Sequence, residues 1–281
     1  MNETLGPYRI LEPMGSGGLG DVYRARDTRH GRTVAIKVIP PDIRDDPERR
    51  ERLLDDARAA AALSHPTIAT LYEVGEDAGE LFLVFDFLAG EPLATVIGGR
   101  PLHPRRAVDL AAQMADAVAD AHAAGVVHGD ITPANVIVTP RGTAKMLDCG
   151  LAAWTHGGRH RVATTEHDDV AALGALLFEM LTGHAPSEAP EPPSTVNATV
   201  PAELDEIVAR ALGCTAASDY APATLAAELR GVSAVLEERS RAVERESPFV
   251  PRRRRRSLWP WVVVALVVAG LAAAGWAIYG R

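Results

Sequence analysis

Residues 126–150 read VVHGDITPANVIVTPRGTAKMLDCG, and the remainder of the chain makes sense as support for this stretch. Val126 and Val127 form a short apolar run that stops at His128 and Gly129, so Asp130 stands where the chain leaves a buried segment for a loop. Five residues on, Asn135 is followed at once by Val136, Ile137 and Val138. Pro140, Arg141 and Gly142 signal a turn, and Ala144 to Leu147 returns as a second strand that delivers Asp148 to a tight corner with Cys149 and Gly150. The hairpin brings Asn135 and Asp148 together. An amide oxygen with a carboxylate is a suitable protein share of the ligands of Mg²⁺, a hard cation whose other ligands are phosphate oxygens and water. Asp130 lies outside that pair and is left to act as a base.

Two upstream stretches fit the same chemistry. Tyr8 to Pro13 reads as a strand, Gly15, Ser16, Gly17, Gly18, Leu19 and Gly20 as a glycine-rich turn, and Asp21 to Arg26 as a second strand. A dinucleotide-binding glycine loop opens a helix, whereas this one leads into VYRARD, which has neither a cap nor a helical apolar face. Two strands joined by glycines make a flap whose backbone N–H groups can lie over phosphates, because no side chain holds them off. The next strand, Thr33 to Ile39, carries Lys37 in an otherwise apolar run, and a charge in such a place calls for an anionic partner.

At this point the pattern resembles the catalytic loop and metal-binding corner of the eukaryotic-like Ser/Thr protein kinases of bacteria. That family has His-Arg-Asp, a Lys two residues on, an Asn five residues on, and then Asp-Phe-Gly. Asp130, Asn135 and Asp148 match position by position, and Val34 to Lys37 matches the family's V-A-I-K strand. The resemblance implies a two-lobed α+β fold, with a small antiparallel β sheet plus one helix (residues 1–88) followed by a mostly helical lobe (89–232). It implies ATP and Mg²⁺ as cofactors, with Asp130 and Lys37 catalytic, Asn135 and Asp148 on the metal, and the flap from Gly15 to Gly20 over the phosphates. Around the adenine it places Val22, Ala35, Ile137, the bulky Phe85, and the backbone of Asp86 and Leu88. The implied partners are protein substrates, the chain itself among them.

The chain also departs from the family. Thr132 stands where the family's Lys contacts the γ phosphate, and Asp56 where a helix Glu pairs with the strand Lys. Cys149 replaces the Phe of the corner, and Gly129 replaces the Arg that contacts a phosphorylated activation segment. Only 20 residues separate Asp148 from Asp169, whose following run VAALGALLFEMLTG matches a buried helix, and no Ala-Pro-Glu motif occurs among them. The late Arg that pairs with that motif falls at Asp219, so both members of a buried ion pair are lost together. These changes support a second reading, a pseudokinase that binds nucleotide or scaffolds. If the chain is active, Gly129 cannot grip a phosphate, and activity is expected to be independent of Thr155, Thr164 and Thr165. His122 and His128 read as packed structural residues.

The 281 residues carry a net charge of −8 although Arg252 to Arg256 is a run of five cations, so the part before that run is acidic and a poor candidate for nucleic-acid binding. The two cysteines, Cys149 and Cys214, have neither disulfide-framework nor metal spacing. Residues 233–257 read as a linker. Leu258 to Tyr279 is 22 residues without a charge, about 33 Å as a helix and enough to span a bilayer. Aromatic residues flank it, and the arginine run before it puts the kinase-like part in the cytoplasm and the C-terminus outside. Ala265, Ala269 and Ala273 form a small-residue stripe that permits a homodimer through this span.

Overall fold

The structure, a computed structural model, describes residues 3–17, 19–155, 164–213 and 220–246. The chain divides into two compact units, Met1–Arg239 and Ser240–Arg281. Of the second unit only 240–246 is described. The expected membrane span at 258–279, the linker beyond Glu246, Gly18, Cys214 and Asp219 therefore lie outside the described residues. Among the described residues no helix is long and apolar enough to cross a membrane.

The first lobe is a six-stranded antiparallel sheet. Its strands are β1 (Thr4–Leu5), β2 (Tyr8–Gly17), β3 (Gly20–Asp27), β4 (Arg32–Val38), β5 (Leu71–Asp77) and β6 (Glu80–Asp86), in the order β1-β2-β3-β4-β6-β5. Alternation along β4 and β6 explains burial on both faces. Val34, Ile36, Phe82 and Val84 join Tyr8 and Ala25 in one apolar cluster. Ala35, Leu81, Leu83 and Phe85 join the other, under the helices. Lys37 sits opposite Leu83 in the ladder and shares that second face. Covering it are the short α1 (Pro41–Arg44) and the 15-residue α2 (Pro47–Ala61), whose Leu53, Ala57 and Ala60 are buried. Helix α2 starts where it does because Asp46 caps it, its carboxylate accepting from the N–H groups of Glu48 and Arg49 at 3.0 and 3.1 Å, with Pro47 in the first turn.

Strand β7 (Glu91–Pro92) and helix α3 (Leu93–Ile97) open the second lobe, followed by the 20-residue α4 (Pro104–Ala123). Strands β8 (Val136–Val138) and β9 (Ala144–Met146) form the expected hairpin and join β7 in a three-stranded sheet of order β7-β8-β9. After the short α5 (Ala152–Thr155) come α6 (Glu166–Thr182), α7 (Pro193–Val196), α8 (Glu203–Ala211) and α9 (Pro222–Glu246). Helix α6 is the centre of this lobe. Ten of its residues are buried, and at Gly174 an added Cβ would lie 2.7 Å from that of Ala211, so only glycine lets α8 approach this closely. Helix α9 continues through Glu246, past residue 233 where the sequence suggests a linker, and Ser233 Oγ donates to Asp109 of α4 at 2.5 Å.

Helix α6 begins with a capping box. Thr165 Oγ1 accepts from the Asp168 N–H at 3.3 Å, and the Asp168 carboxylate accepts from the Thr165 N–H at 2.7 Å. Thr165→Ala is expected to lower stability by about 1 kcal/mol, read as a lower urea midpoint with an unchanged slope. An unchanged midpoint would mean that the cap contributes nothing.

Candidate active site

The bend from His128 to Asp130 is built on one buried carboxylate. Asp169, 1% exposed at the start of α6, accepts from the backbone N–H groups of His128 and Gly129, both at 2.8 Å, and from His122 Nε2 at 2.8 Å. Three donors from two stretches of chain thus converge on one side chain and fix the bend that follows α4. The two histidines are structural. His128 Nδ1 accepts from the Asp130 N–H at 3.3 Å, and burial holds the imidazole below its ordinary pKa against the opposing pull of Asp169, Asp148 and Asp130. A neutral ring is what an accepting Nδ1 requires.

Beyond the bend, Asn135 Nδ2 donates to Asp130 Oδ2 at 2.8 Å and to the Asp130 carbonyl at 3.1 Å. The amide nitrogen orients the carboxylate, and Oδ1 is the atom of that amide left for a cation. The Leu147 N–H donates to the Asn135 carbonyl at 2.8 Å, which ties the residue before Asp148 to the Asn135 turn. Asp148 itself has φ +58, the left-handed region that few residues other than glycine enter. Its carboxylate takes the Lys37 ammonium at 2.6 and 2.5 Å, with both side chains largely buried. Lys37 Nζ also lies 5.5 Å from the centre of the Phe85 ring. The chemistry fits Mg²⁺: an amide oxygen and an aspartate, with a lysine as the stand-in cation on the aspartate.

The flap is the β2–β3 turn. Gly15, Ser16 and Gly17 are exposed, Gly17 pairs with Gly20, and Val22 pairs with Lys37. Glycine is obligatory at position 20, where φ is +104 and an added Cβ would lie 1.8 Å from the Val38 carbonyl oxygen. Leu19 turns inward and is buried with the apolar residues beneath the sheet. Ala35 lies opposite Phe85 in the ladder, and the Asp86 N–H is taken by the Thr70 carbonyl at 2.9 Å. Leu88 and Ile137 are half-buried.

A two-lobed chain that sets a strand lysine on the aspartate of a glycine corner, beyond a loop holding Asp130 and Asn135, has the layout expected of a kinase domain. The protein kinase domain profile matches residues 8–230. The chain belongs to the protein kinase family. Ser/Thr-protein kinase PknE of Mycobacterium bovis is 32% identical over 240 residues, which cover 74% of this chain and 42% of the relative. Ser/Thr-protein kinase PrkC of Bacillus subtilis is 35% identical over 201 residues, covering 64% and 31%. The chain thus spans less than half the length of these relatives. A double-mutant form of the PknI kinase domain from Mycobacterium tuberculosis superposes with a TM-score of 0.68 at 25% identity, covering 82% of this chain and 97% of that domain.

Within this kinase domain three features escape sequence reasoning. Asp56, the helix acid expected opposite Lys37, instead accepts from Trp154 Nε1 at 2.8 Å, while Lys37 pairs with Asp148. An aspartate is one methylene short for the strand lysine and well placed for an indole; the sequence signal for it is the i, i+3 apolar pair Leu151 and Trp154. Cys149 is 6% exposed, and burial, helped by the charge of Asp169, pushes its thiol up to about 12, so it is a neutral packing residue. Gly129 has φ +76, and a Cβ there would lie 2.6 Å from Thr164 Oγ1 and 2.8 Å from the Ala152 Cβ. The segment after the corner therefore packs into the space that the family's arginine would need. Gly129→Arg, which restores the family residue, is expected to cost about 2–3 kcal/mol through backbone strain and the displaced contacts. Urea unfolding at the wild-type midpoint would show that no such packing is present.

Proposed function

We propose that the chain is a Ser/Thr protein kinase that transfers the γ-phosphoryl group of Mg-ATP to hydroxyls of proteins, itself among them, and that residues 258–279 anchor it in a membrane with residues 1–257 in the cytoplasm. The observation that carries the reading is the linked set Lys37–Asp148 and Asn135–Asp130, joined by the backbone bond from Leu147, the residue before Asp148, to Asn135. Lys37 exchanges Asp148 for the α and β phosphates, which frees the Asp148 carboxylate. Asn135 Oδ1 and Asp148 would hold Mg²⁺, which when bound draws the phosphate oxygens together and offsets their charge. The flap N–H groups cover the phosphates, and Phe85, Asp86, Leu88, Val22, Ala35 and Ile137 border the adenine. Asp130, oriented by Asn135, aligns the acceptor hydroxyl. As the hydroxyl oxygen bonds to the γ phosphorus, the bond to the β–γ bridging oxygen breaks, its electrons leave with ADP, and the proton passes to Asp130. Little covalent chemistry falls to the protein, so positioning and electrostatics suffice.

A second reading, a membrane-tethered pseudokinase, is favoured by Thr132, by Cys149 and by the engagement of Asp56 with Trp154 rather than with Lys37. The experiment that separates the two uses the full chain in lipid vesicles with Mg²⁺, γ-labelled ATP and a generic protein acceptor. Phosphoamino-acid analysis is expected to find label on serine or threonine. A nucleotide-induced thermal shift with no labelled hydroxyl would favour the pseudokinase. For the anchor, the chain is expected to stay with the vesicles through an alkaline carbonate wash, and its release into the supernatant would contradict the span.

A further inference from the structure

Helix α9 is fastened to the second lobe along one face. Leu225, Ala226 and Leu229 are buried there, Arg230 meets Asp116 of α4, and Ser233 meets Asp109. A second stripe, Glu228, Gly231, Val232, Val235, Leu236 and Arg239, recurs at steps of three, one, three, one and three residues, which places it on a single face of a helix. All six border one groove of about 310 Å³, and Ile207 lines it from α8. Two features of this stripe have no explanation within the fold. Val235 leaves a large apolar side chain 45% exposed. Gly231 stands inside a 25-residue helix, where glycine is a poor choice, yet a Cβ added there would meet nothing within 4 Å among the described residues. At Gly174 the close approach of α8 accounts for the glycine; at Gly231 the approach must come from outside.

The stripe is complementary to itself. Laid antiparallel against a second copy and centred between Ser233 and Ala234, it sets Val232 against the partner's Val235, Gly231 against the partner's Leu236, and Glu228 against the partner's Arg239. A two-fold axis repeats each contact. The glycine becomes the hole that receives a leucine. The charges are available for the same pairing. Arg210 Nη2 and the Tyr220 hydroxyl both donate to one oxygen of Glu228, Oε2, at 2.7 and 2.5 Å, which leaves Oε1 for a further donor. Arg239 donates through one nitrogen to Glu203 at 2.8 Å and keeps the rest of its donor fork. We propose that the groove between α8 and α9 is a homodimer interface in which α9 of a second copy lies antiparallel. The occupant is a copy of this chain because one set of six residues supplies both members of all three pairings. The contact is separate from the small-residue stripe of Ala265, Ala269 and Ala273, and it stands whether or not the cleft transfers phosphate.

The test uses the full chain in detergent micelles, as two preparations of different size with Cys214 replaced by Ser; the remaining Cys149 is buried. One preparation carries Val232→Cys and the other Val235→Cys. Oxidised together, they are expected to form the mixed disulfide faster than either links to itself. The mixed link is also expected to outpace that of Ala234→Cys, whose side chain turns away from the stripe. Gly231→Leu fills the hole on both copies without meeting anything in its own. It is expected to weaken self-association in sedimentation about tenfold, the loss that follows when a leucine is kept from burial. The urea midpoint of the dilute protein should stay at or above wild type, since leucine is the better helix former. A mixed link no faster than the others, a faster link of Val232→Cys to itself, or association unchanged by Gly231→Leu would overturn the interface; the last is what a dimer held only by the alanine stripe would show. A chain that stays monomeric would overturn it too and leave the groove to a helix of another protein.

Discussion

Asp130→Asn is expected to lower phosphoryl transfer by about 10²- to 10⁴-fold while leaving Mg-ATP affinity and the urea midpoint close to wild type. The geometry separates these effects. Asp130 meets Asn135 through one carboxylate oxygen and through its own backbone carbonyl. An amide oxygen can accept the same Asn135 bond, so the loop keeps its shape. What the amide cannot do is take the proton of the attacking hydroxyl. Steady-state kinetics beside a nucleotide titration read the two properties independently. Equal losses in affinity and rate would place Asp130 in the binding of nucleotide rather than in the transfer step.

The second large effect concerns a residue that touches no substrate. Asp169→Ala removes the acceptor of three buried or half-buried donors, the His128 and Gly129 N–H groups and His122 Nε2. An unsatisfied buried donor costs about 1–3 kcal/mol, so a loss of about 3–5 kcal/mol is expected, a large fraction of the roughly 5–15 kcal/mol that holds a domain folded. Should the variant not fold at all, Asp169→Asn supplies the graded case, since its single remaining oxygen can satisfy some of the donors. Its urea midpoint should fall between wild type and Asp169→Ala, and transfer should fall with it because His128 to Asp130 would lose their anchor. An Asp169→Ala midpoint within about 0.5 kcal/mol of wild type would show that the loop is held by other contacts.

Local pattern makes much of this fold legible, and distance in sequence hides the rest. Lys37 in an alternating apolar strand, the bend at His128 to Asp130, the hairpin from Val136 to Met146 and the apolar helix after Asp169 all announce themselves through short-range periodicity, turn chemistry or the cost of burying a charge. Strand β5 does not. It contains Glu73, Gly75 and Glu76, and Gly75 is there because a Cβ would lie 2.3 Å from the Phe82 ring of the neighbouring strand, a tertiary requirement with no local signature. Helix α9 hides its length for a related reason. Its later turns are rich in Glu and Arg, which read as a solvated linker until Arg230 is seen to meet Asp116 and Arg239 to meet Glu203. The partner of Asp56 is the clearest case: Trp154 lies 98 residues away, and resemblance to the family points instead to Lys37. The shortened segment after Asp148 is visible as a deletion, but that its first turn packs under α2 and against Gly129 follows only from three-dimensional proximity.

The most direct measurement is a single turnover, with the full chain in excess over γ-labelled ATP and Mg²⁺, and Asp130→Asn run in parallel. Working with enzyme in excess detects one transfer per site, so a slow product-release step cannot mask it. Label is predicted to move from ATP to serine or threonine hydroxyls of the acceptor or of the chain itself, and to remain on ATP in Asp130→Asn. Label that stays wholly on ATP in the wild type, at concentrations where a nucleotide titration shows the site to be filled, would contradict the assignment of this cleft as a working phosphotransferase.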